Sequence, residues 1–374
     1  MKIGLDGRAA IWYRGTGIGT YTYQLIRNLR LVDQRHQYRF FWPGDEYRDL
    51  DPSADSVFNS IDRHRDTFWE AVHIPARIAD ENIDLYHVPQ NGIGLPHASS
   101  CPLVVTVHDL IPYIYPETVG KGYLKLFLEQ MPRIVEKAAK IITVSQWSAR
   151  DLQRVLRVPP EKIAVTYEAP EDFYRPLDRA VARELLAQKY GINRKFLLYL
   201  GGFGPRKNVK AVINAFYEVH RDLPTDHLLV LVGKEDREYK DLQMLAEALG
   251  IADKVLFPGF VPVEELPYFY NAAEVFVYPS FYEGFGLPPV EAMACGTPVV
   301  TANSSSLPEV VGDAAIMTNP YDTSDIAEAI YRLLTNPELA EEYRRRGLTR
   351  VKQFSWRDTV LQTIAVYEDV GANT

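Results

Sequence analysis

The stretch VFVYPSFYEGFGLPPVEAMACGTPVV, Val275 to Val300, decides the fold. It opens on VFVYP, an apolar run rich in β-branched and aromatic residues that reads as a buried strand. The loop SFYEGFGL follows, and its Gly284 and Gly286 let backbone come close to a ligand. Pro288 and Pro289 suit the first turn of a helix, where a missing N–H costs nothing. Cys295-Gly296 closes that helix with a left-handed cap, and PVV starts the next strand. On this reading the helix begins near Pro288, Glu291 lies in its first turn, and Glu283 lies in the loop. Strand, loop, helix, strand is the building unit of a parallel α/β sheet.

The same alternation runs through the whole chain. Strands are expected at 2–6, 38–42, 84–88, 103–108, 141–145 and 163–167. A second series is expected at 196–201, 227–233, 254–259, 275–279, 298–302 and 314–318. Helix-period segments separate most of them. A polar, proline-bearing break, EAPEDFYRPLDRA (168–180), divides the two series as a linker would. The final segment, FSWRDTVLQTIAVYEDV (354–370), reads as a helix with Val360, Leu361, Ile364 and Tyr367 on its apolar face. The expected class is α/β with two doubly wound domains, at 1–170 (with the closing helix) and 171–353, facing across a cleft. Ligands of such sheets bind beyond the carboxyl ends of the strands.

A chain of 374 residues is long enough for two such domains. The net charge of −8 lies entirely after residue 170, because the earlier residues are balanced. An acidic chain is a poor match for nucleic acid. No apolar run reaches a membrane-spanning length. The N-terminus MKIGLDGRAA has no signal-peptide pattern, and two cysteines without a metal-type pairing fit a reducing cytoplasm.

The positions just after strands carry the chemistry. Two carboxylates beside a helix N-terminus suit hydroxyl groups, while the helix N–H groups suit an anion. A ligand with phosphates in the middle and hydroxyl-bearing rings at each end fits both. The plain alternative makes Glu283 a solvated loop residue and Glu291 a glutamate favoured by the helix dipole. In LLYLGGFGPRKNVKAVINAF, Arg206 and Lys207 precede a helix for which Asn208 reads as the N-cap. Cations there oppose the helix dipole, and an anion between them reconciles the two. The plain reading is a solvated basic turn. GTGIGTYTYQLIRNL (15–29) is a weaker signal. It is no G-x-G-x-x-G fingerprint, and no acid for a ribose follows it. This counts against a nicotinamide-dependent oxidoreductase. His108-Asp109 closes LVVTVHD, and His108 is the histidine best placed to face a cleft, though such a residue is often structural. Ser145 reads as an N-cap. No H-E-x-x-H or Cys/His cluster appears. The one Asp-x-Asp, Asp49 to Asp51, sits in a polar loop with no strand feeding it.

Together these blocks resemble the retaining, nucleotide-sugar-dependent glycosyltransferases of family 4, which have the GT-B architecture. GTGIGTYTYQLIRNL, VVTVHDLIP, AKIITVSQWS, YLGGFGPRKN, LFPGFVPVEELPYFYNAAEVFV and above all YPSFYEGFGLPPVEAMACGTPVVTANSSSLPEVVGDAA carry the likeness over nearly the whole chain. The resemblance implies that Glu283 meets the donor sugar's hydroxyls and Glu291 the ribose. It implies that Lys207 and Arg206 neutralise the leaving diphosphate. Gly284, Phe285, Gly286, Leu287 and Val261 would line the donor site, with Gly17, Gly19 and Ser145, and His108 would face the sugar. It implies no metal and no cofactor beyond a nucleotide-sugar substrate, linked to GDP or UDP. The acceptor would be a saccharide or a lipid-linked saccharide. Two positions depart from the pattern: Gly202 stands where many members have Arg, and Glu168-Ala169 where many read Asn-Gly. The PRKN variant leans toward polysaccharide mannosyltransferases using GDP-mannose. A catalytically silent nucleotide-sugar-binding subunit is the rival reading. Segments 22–40 and 120–140 mix cations with apolar residues. They read either as amphipathic elements packed on a sheet or as a peripheral contact with the inner face of the cell membrane.

Overall fold

The computed structural model describes residues 1–42, 69–235 and 237–373. Contacts divide the chain into two compact units, Met1–Glu168 with Ser355–Thr374 and Ala169–Phe354. The Asp49–Asp51 triplet lies outside the described residues.

The first unit holds six parallel strands in the order β2-β1-β3-β4-β5-β6. They are β1 (Lys2–Asp6), β2 (Gln37–Phe41), β3 (Leu85–Val88), β4 (Leu103–Thr106), β5 (Lys140–Thr143) and β6 (Ile163–Val165). β4 reads LVVT and is buried at every position, as a strand covered on both faces must be. Helix Gly17–Val32 buries Tyr21, Leu25, Ile26 and Leu29, a spacing that places them on one face. Its apolar side is therefore used inside the unit, and residues 37–41 form β2. Helix Lys121–Lys137 buries Phe127, Met131 and Ile134 and leaves Tyr123, Leu126 and Leu128 exposed.

The closing helix Trp356–Ala372 packs against helix Gly17–Val32. Ser355 caps it by accepting from the Asp358 N–H at 3.0 Å. Tyr367 pins it to β3, its hydroxyl lying 2.7 Å from His87 Nδ1. Val360, Ile364 and Tyr367 are buried as the periodicity predicts, but Leu361 is 38% exposed. Its place is taken by Thr363, whose hydroxyl satisfies the helix backbone at the Thr359 carbonyl.

The second unit holds β7 (Lys195–Leu200), β8 (His227–Val232), β9 (Val255–Gly259), β10 (Val275–Tyr278), β11 (Val299–Ala302) and β12 (Ile316–Thr318). They are all parallel, in the order β12-β11-β10-β7-β8-β9. β7, β8 and β10 form a continuous core with Phe196, Leu198, Val230, Phe276 and Val277. Each such side chain contributes about 1.5–3 kcal/mol on burial. Helices Val209–Val219 and Thr323–Thr335 pack together beside the sheet. All twelve strands stand where the alternation predicts them. Several end sooner, so that His108 and Ser145 lie in the loops after β4 and β5 rather than in the strands.

Candidate active site

The strand order of the second sheet reverses direction between β7 and β10. From β7 the chain moves outward to β8 and β9, then returns to the other side of β7 as β10. Crossovers leaving the carboxyl ends of these two neighbours go opposite ways, the place where sheets of this kind form a ligand crevice. The loop after β7 carries Arg206 and Lys207, and the loop after β10 carries Glu283.

The structure brings these three side chains together. Lys207 Nζ donates to Glu283 Oε1 at 2.7 Å, and an Arg206 guanidinium nitrogen lies 2.9 Å from the same oxygen. Tyr278, the last residue of β10, donates its hydroxyl to Glu283 Oε1 at 3.1 Å and accepts from Lys207 Nζ at 2.6 Å. The Lys207 ammonium also lies 5.1 Å from the Tyr278 ring centroid, within cation–π range. All these donors use Oε1. Burial alone would raise the Glu283 pKa, but the charges of Arg206 and Lys207 outweigh it and hold the group at about 2. Glu283 is therefore a buried anion at neutral pH, compensated by two cations as a buried charge requires.

Local backbone explains how the loops hold these residues. A short 3₁₀ turn, Pro205–Lys207, precedes helix Val209–Val219. Asn208 occupies the cap position but is left-handed, with φ 58°, and makes no capping bond. Its side-chain amide donates instead to the Pro279 and Pro320 carbonyls, at 3.2 and 2.7 Å, tying the β7 loop to those after β10 and β12. The Phe281 N–H donates to the Arg206 carbonyl at 2.9 Å, and Arg206 also donates to the Tyr282 carbonyl. The Ser306 hydroxyl sits 2.9 and 2.8 Å from the Glu283 and Phe285 carbonyls, and Ser305 accepts from the Glu283 N–H at 2.9 Å.

The other residues expected to line a donor site in the second unit are Gly284, Phe285, Gly286, Leu287, Glu291 and Val261. Gly284, Phe285 and Gly286 complete the loop, with the Phe285 ring buried edge-on against Phe354, centroids 5.6 Å apart. Gly286 has φ 108°, and a Cβ there would meet Leu307 at 2.8 Å, so only glycine fits. Helix Leu287–Ala294 starts at Leu287. Glu291 is therefore one position deeper than the sequence reading places it and lies past the first turn. Its Oε2 accepts from the Tyr270 hydroxyl at 2.8 Å. Val261 is buried among core residues, so its side chain serves packing, while Phe260 beside it is 72% exposed.

His108, Ser145, Gly17 and Gly19 belong to the first unit. His108 is buried, with Nε2 2.9 Å from the Pro89 carbonyl and Nδ1 3.2 Å from Glu168 Oε1. Tyr21 packs edge-on against its ring at 4.8 Å. Ser145 caps helix Gln146–Leu156 by accepting from the Ser148 N–H at 3.0 Å. The Ser148 hydroxyl in turn donates to the His108 carbonyl at 3.0 Å. Gly19 is required by its own chain, since a Cβ there would sit 1.9 Å from the Tyr13 carbonyl oxygen. Gly17 meets nothing within 4 Å, which leaves its surroundings open. Sequence reasoning missed Tyr278 and Tyr270. The available signal was the position of Tyr278 at the carboxyl end of β10. Glu168, flagged only as a departure, proves to be the partner of His108. Among the described residues no group of three or more His, Cys, Asp or Glu gathers in metal-binding array.

Comparison with known proteins agrees with this architecture. Residues 182–350 match the family model "Glycosyl transferases group 1" and residues 15–169 match "Glycosyltransferase Family 4". The chain is 34% identical to the O-antigen chain mannosyltransferase B of Escherichia coli, over 98% of this chain and 100% of that one. Among solved structures it resembles sucrose-phosphate synthase from Thermosynechococcus elongatus, with TM-score 0.79 and 23% identity over the whole of both chains. It also resembles Anabaena HepE, solved in complex with UDP and glucose, with TM-score 0.74 and 19% identity over the whole of both chains. Two parallel six-stranded sheets, a charged cluster at a switch point and full-length similarity lead to one conclusion: this chain is a GT-B protein and belongs to the family 4, group 1 glycosyltransferases.

Proposed function

We propose that the protein is a retaining, metal-independent mannosyltransferase. It moves mannose from GDP-mannose to a saccharide or lipid-linked saccharide acceptor in cell-surface polysaccharide synthesis. The observation that carries this reading is the convergence of Arg206 and Lys207 on Glu283 at the β7/β10 switch point. A diphosphate brought to that crevice competes for both cations. Glu283 then offers its carboxylate to sugar hydroxyls, which a carboxylate accepts as hydrogen-bond donors. Glu291 serves the ribose, and the likeness to an O-antigen mannosyltransferase supports mannose as the sugar that the donor carries.

In this mechanism the sugar–phosphate bond lengthens to an oxocarbenium-like state. Lys207 and Arg206 hold the departing diphosphate, and fixed charge of this kind lowers the barrier as the bond breaks. The acceptor hydroxyl attacks from the face the diphosphate leaves, and its proton passes to that phosphate. No protein nucleophile is needed, and the two cations take the role that a metal would otherwise fill.

Helix Lys121–Lys137 supports a lipid-linked acceptor. It exposes Tyr123, Leu126 and Leu128 beside Lys121 and Lys125, an arrangement suited to an anionic membrane surface. No helix among the described residues is long and apolar enough to cross a membrane. The reaction then runs at the cytoplasmic face, where the unpaired Cys101 and Cys295 stay reduced.

The test is transfer from GDP-mannose, with and without EDTA, to a mannose-terminated lipid-linked oligosaccharide, followed by NMR of the new linkage. An α-mannoside formed in EDTA supports the reading. Transfer from UDP-sugars alone reassigns the donor, and an inverted product removes the retaining mechanism. Nucleotide binding with no transfer to any acceptor favours the silent subunit.

A further inference from the structure

Each of the two glutamates in the donor site has a buried tyrosine behind it. Tyr278 donates to Glu283 Oε1 at 3.1 Å, and Tyr270 donates to Glu291 Oε2 at 2.8 Å. Both rings are almost completely buried, at 1% and 0% exposure, so neither phenol reaches a substrate directly. Burial and then the neighbouring glutamate push both phenols well above their ordinary pKa. Each keeps its proton, and that proton points at a carboxylate.

The rings themselves are held. Tyr278 stacks on Phe276 at 5.8 Å and on Tyr199 at 5.9 Å. Tyr270 meets the same Phe276 edge-on at 5.3 Å, and Tyr174 at 5.7 Å. A single aromatic row therefore anchors both hydroxyls. The phenols differ in what else they touch. Tyr278 also accepts from Lys207 at 2.6 Å, so it orients the residue that meets the leaving group as well as the one that meets the sugar. Tyr270 orients Glu291 from helix Leu266–Ala272.

We propose that Tyr278 and Tyr270 are positioning residues with divided roles. Tyr278 sets Glu283 and Lys207 for bond cleavage, and Tyr270 sets Glu291 for holding the donor. The inference rests on the functional reading above. A tether that fixes a carboxylate to within half an ångström or so separates a productive site from a loose one. The Tyr278 tether acts on groups that engage most strongly at the transition state, so its loss falls on kcat. The Tyr270 tether acts on a part of the donor that does not react, so its loss falls on KM.

Tyr278→Phe and Tyr270→Phe each delete one hydroxyl and keep the ring in the aromatic row. They are measured with GDP-mannose beside Glu283→Gln and Glu291→Gln, with a melting curve for each variant. Tyr278→Phe is expected to lower kcat about tenfold to a hundredfold with KM within about threefold. Tyr270→Phe is expected to raise KM about threefold to tenfold with kcat within about twofold. Phe variants with wild-type kcat and KM, altered only in melting temperature, overturn the proposal. So do two variants that lose kcat alike with KM unmoved, since the roles are then not divided. Glutamine variants with wild-type kcat and KM sink the functional reading of the site and the tyrosine roles with it. Active-site losses in the glutamine variants alone sink only the tyrosines.

Discussion

Lys207 and Glu283 lie 76 positions apart in sequence and 2.7 Å apart in space, Nζ to Oε1. Neither the β7 loop nor the β10 loop would place its charged residue there alone. The parallel pairing of β7 with β10 sets the two loops side by side, and Asn208 then ties them through the Pro279 carbonyl. The lysine proposed to serve a leaving phosphate is thereby stored against the carboxylate proposed to serve the sugar.

In the proposed mechanism Lys207→Ala removes a charge that meets the departing diphosphate. Turnover of GDP-mannose is expected to fall about 10²–10³-fold, the loss typical of one electrostatic contact to a transition state. Initial rates check it, with circular dichroism to show that the fold survives. Arg206→Ala acts in the same direction, because both cations face the same oxygen.

Acid unfolding should carry the signature of Glu283. Burial would raise this group, but Arg206 and Lys207 lower it from 4.5 to about 2. The unfolded chain therefore takes the proton first as pH falls. The stabilisation is complete above about pH 4.5 and is lost progressively toward pH 2. Glu283→Gln removes that group's titration, so the second unit's urea stability should depend less on pH across this window. An unchanged slope contradicts the assignment.

Gly286→Ala should destabilise the second unit. The residue holds φ 108°, and the new methyl meets Leu307 at 2.8 Å. Strained backbone of this kind costs about 1–3 kcal/mol. The melting temperature should drop, and the donor affinity with it, because the loop carrying Glu283 ends there.

Gly202 is the position where many family members carry Arg, and a Cβ there meets nothing within 4 Å. Gly202→Arg should therefore fold normally and add a phosphate contact. GDP affinity is expected to rise by about tenfold, in line with one charge-assisted hydrogen bond of about 1.5 kcal/mol. Isothermal titration measures it.

Much of the architecture was legible because strand and helix periods are local signals. VFVYP and LLYLG read as buried strands, and residues just beyond such strands are where a parallel sheet meets its ligand. That logic singles out Arg206, Lys207 and Glu283 from the sequence. Other features depended on partners far away in sequence. Asn208 looked like an N-cap, yet its amide goes to two proline carbonyls and its backbone turns left-handed. Leu287 joins the helix ahead of the two prolines, which moves Glu291 out of the first turn. Gly19 reads as an opening for a ligand, whereas the Tyr13 carbonyl already fills the space. Tyr278 and Tyr270 read as plain core, because a buried tyrosine shows its function only through the group its hydroxyl meets. Leu361 marks the limit of periodicity on a helix whose buried face includes two threonines.

In the proposed mechanism Arg206 and Lys207 form a diphosphate site beside Glu283. Its most direct test is the melting temperature of the wild-type protein and of the Arg206→Ala/Lys207→Ala double variant, with GDP, UDP and ADP, in EDTA. A ligand bound only to the native state raises the melting temperature by mass action. The account predicts a clear rise with GDP for the wild type and little or none for the variant. A wild type that responds to none of the three nucleotides, or a variant that responds as strongly as the wild type, would contradict it.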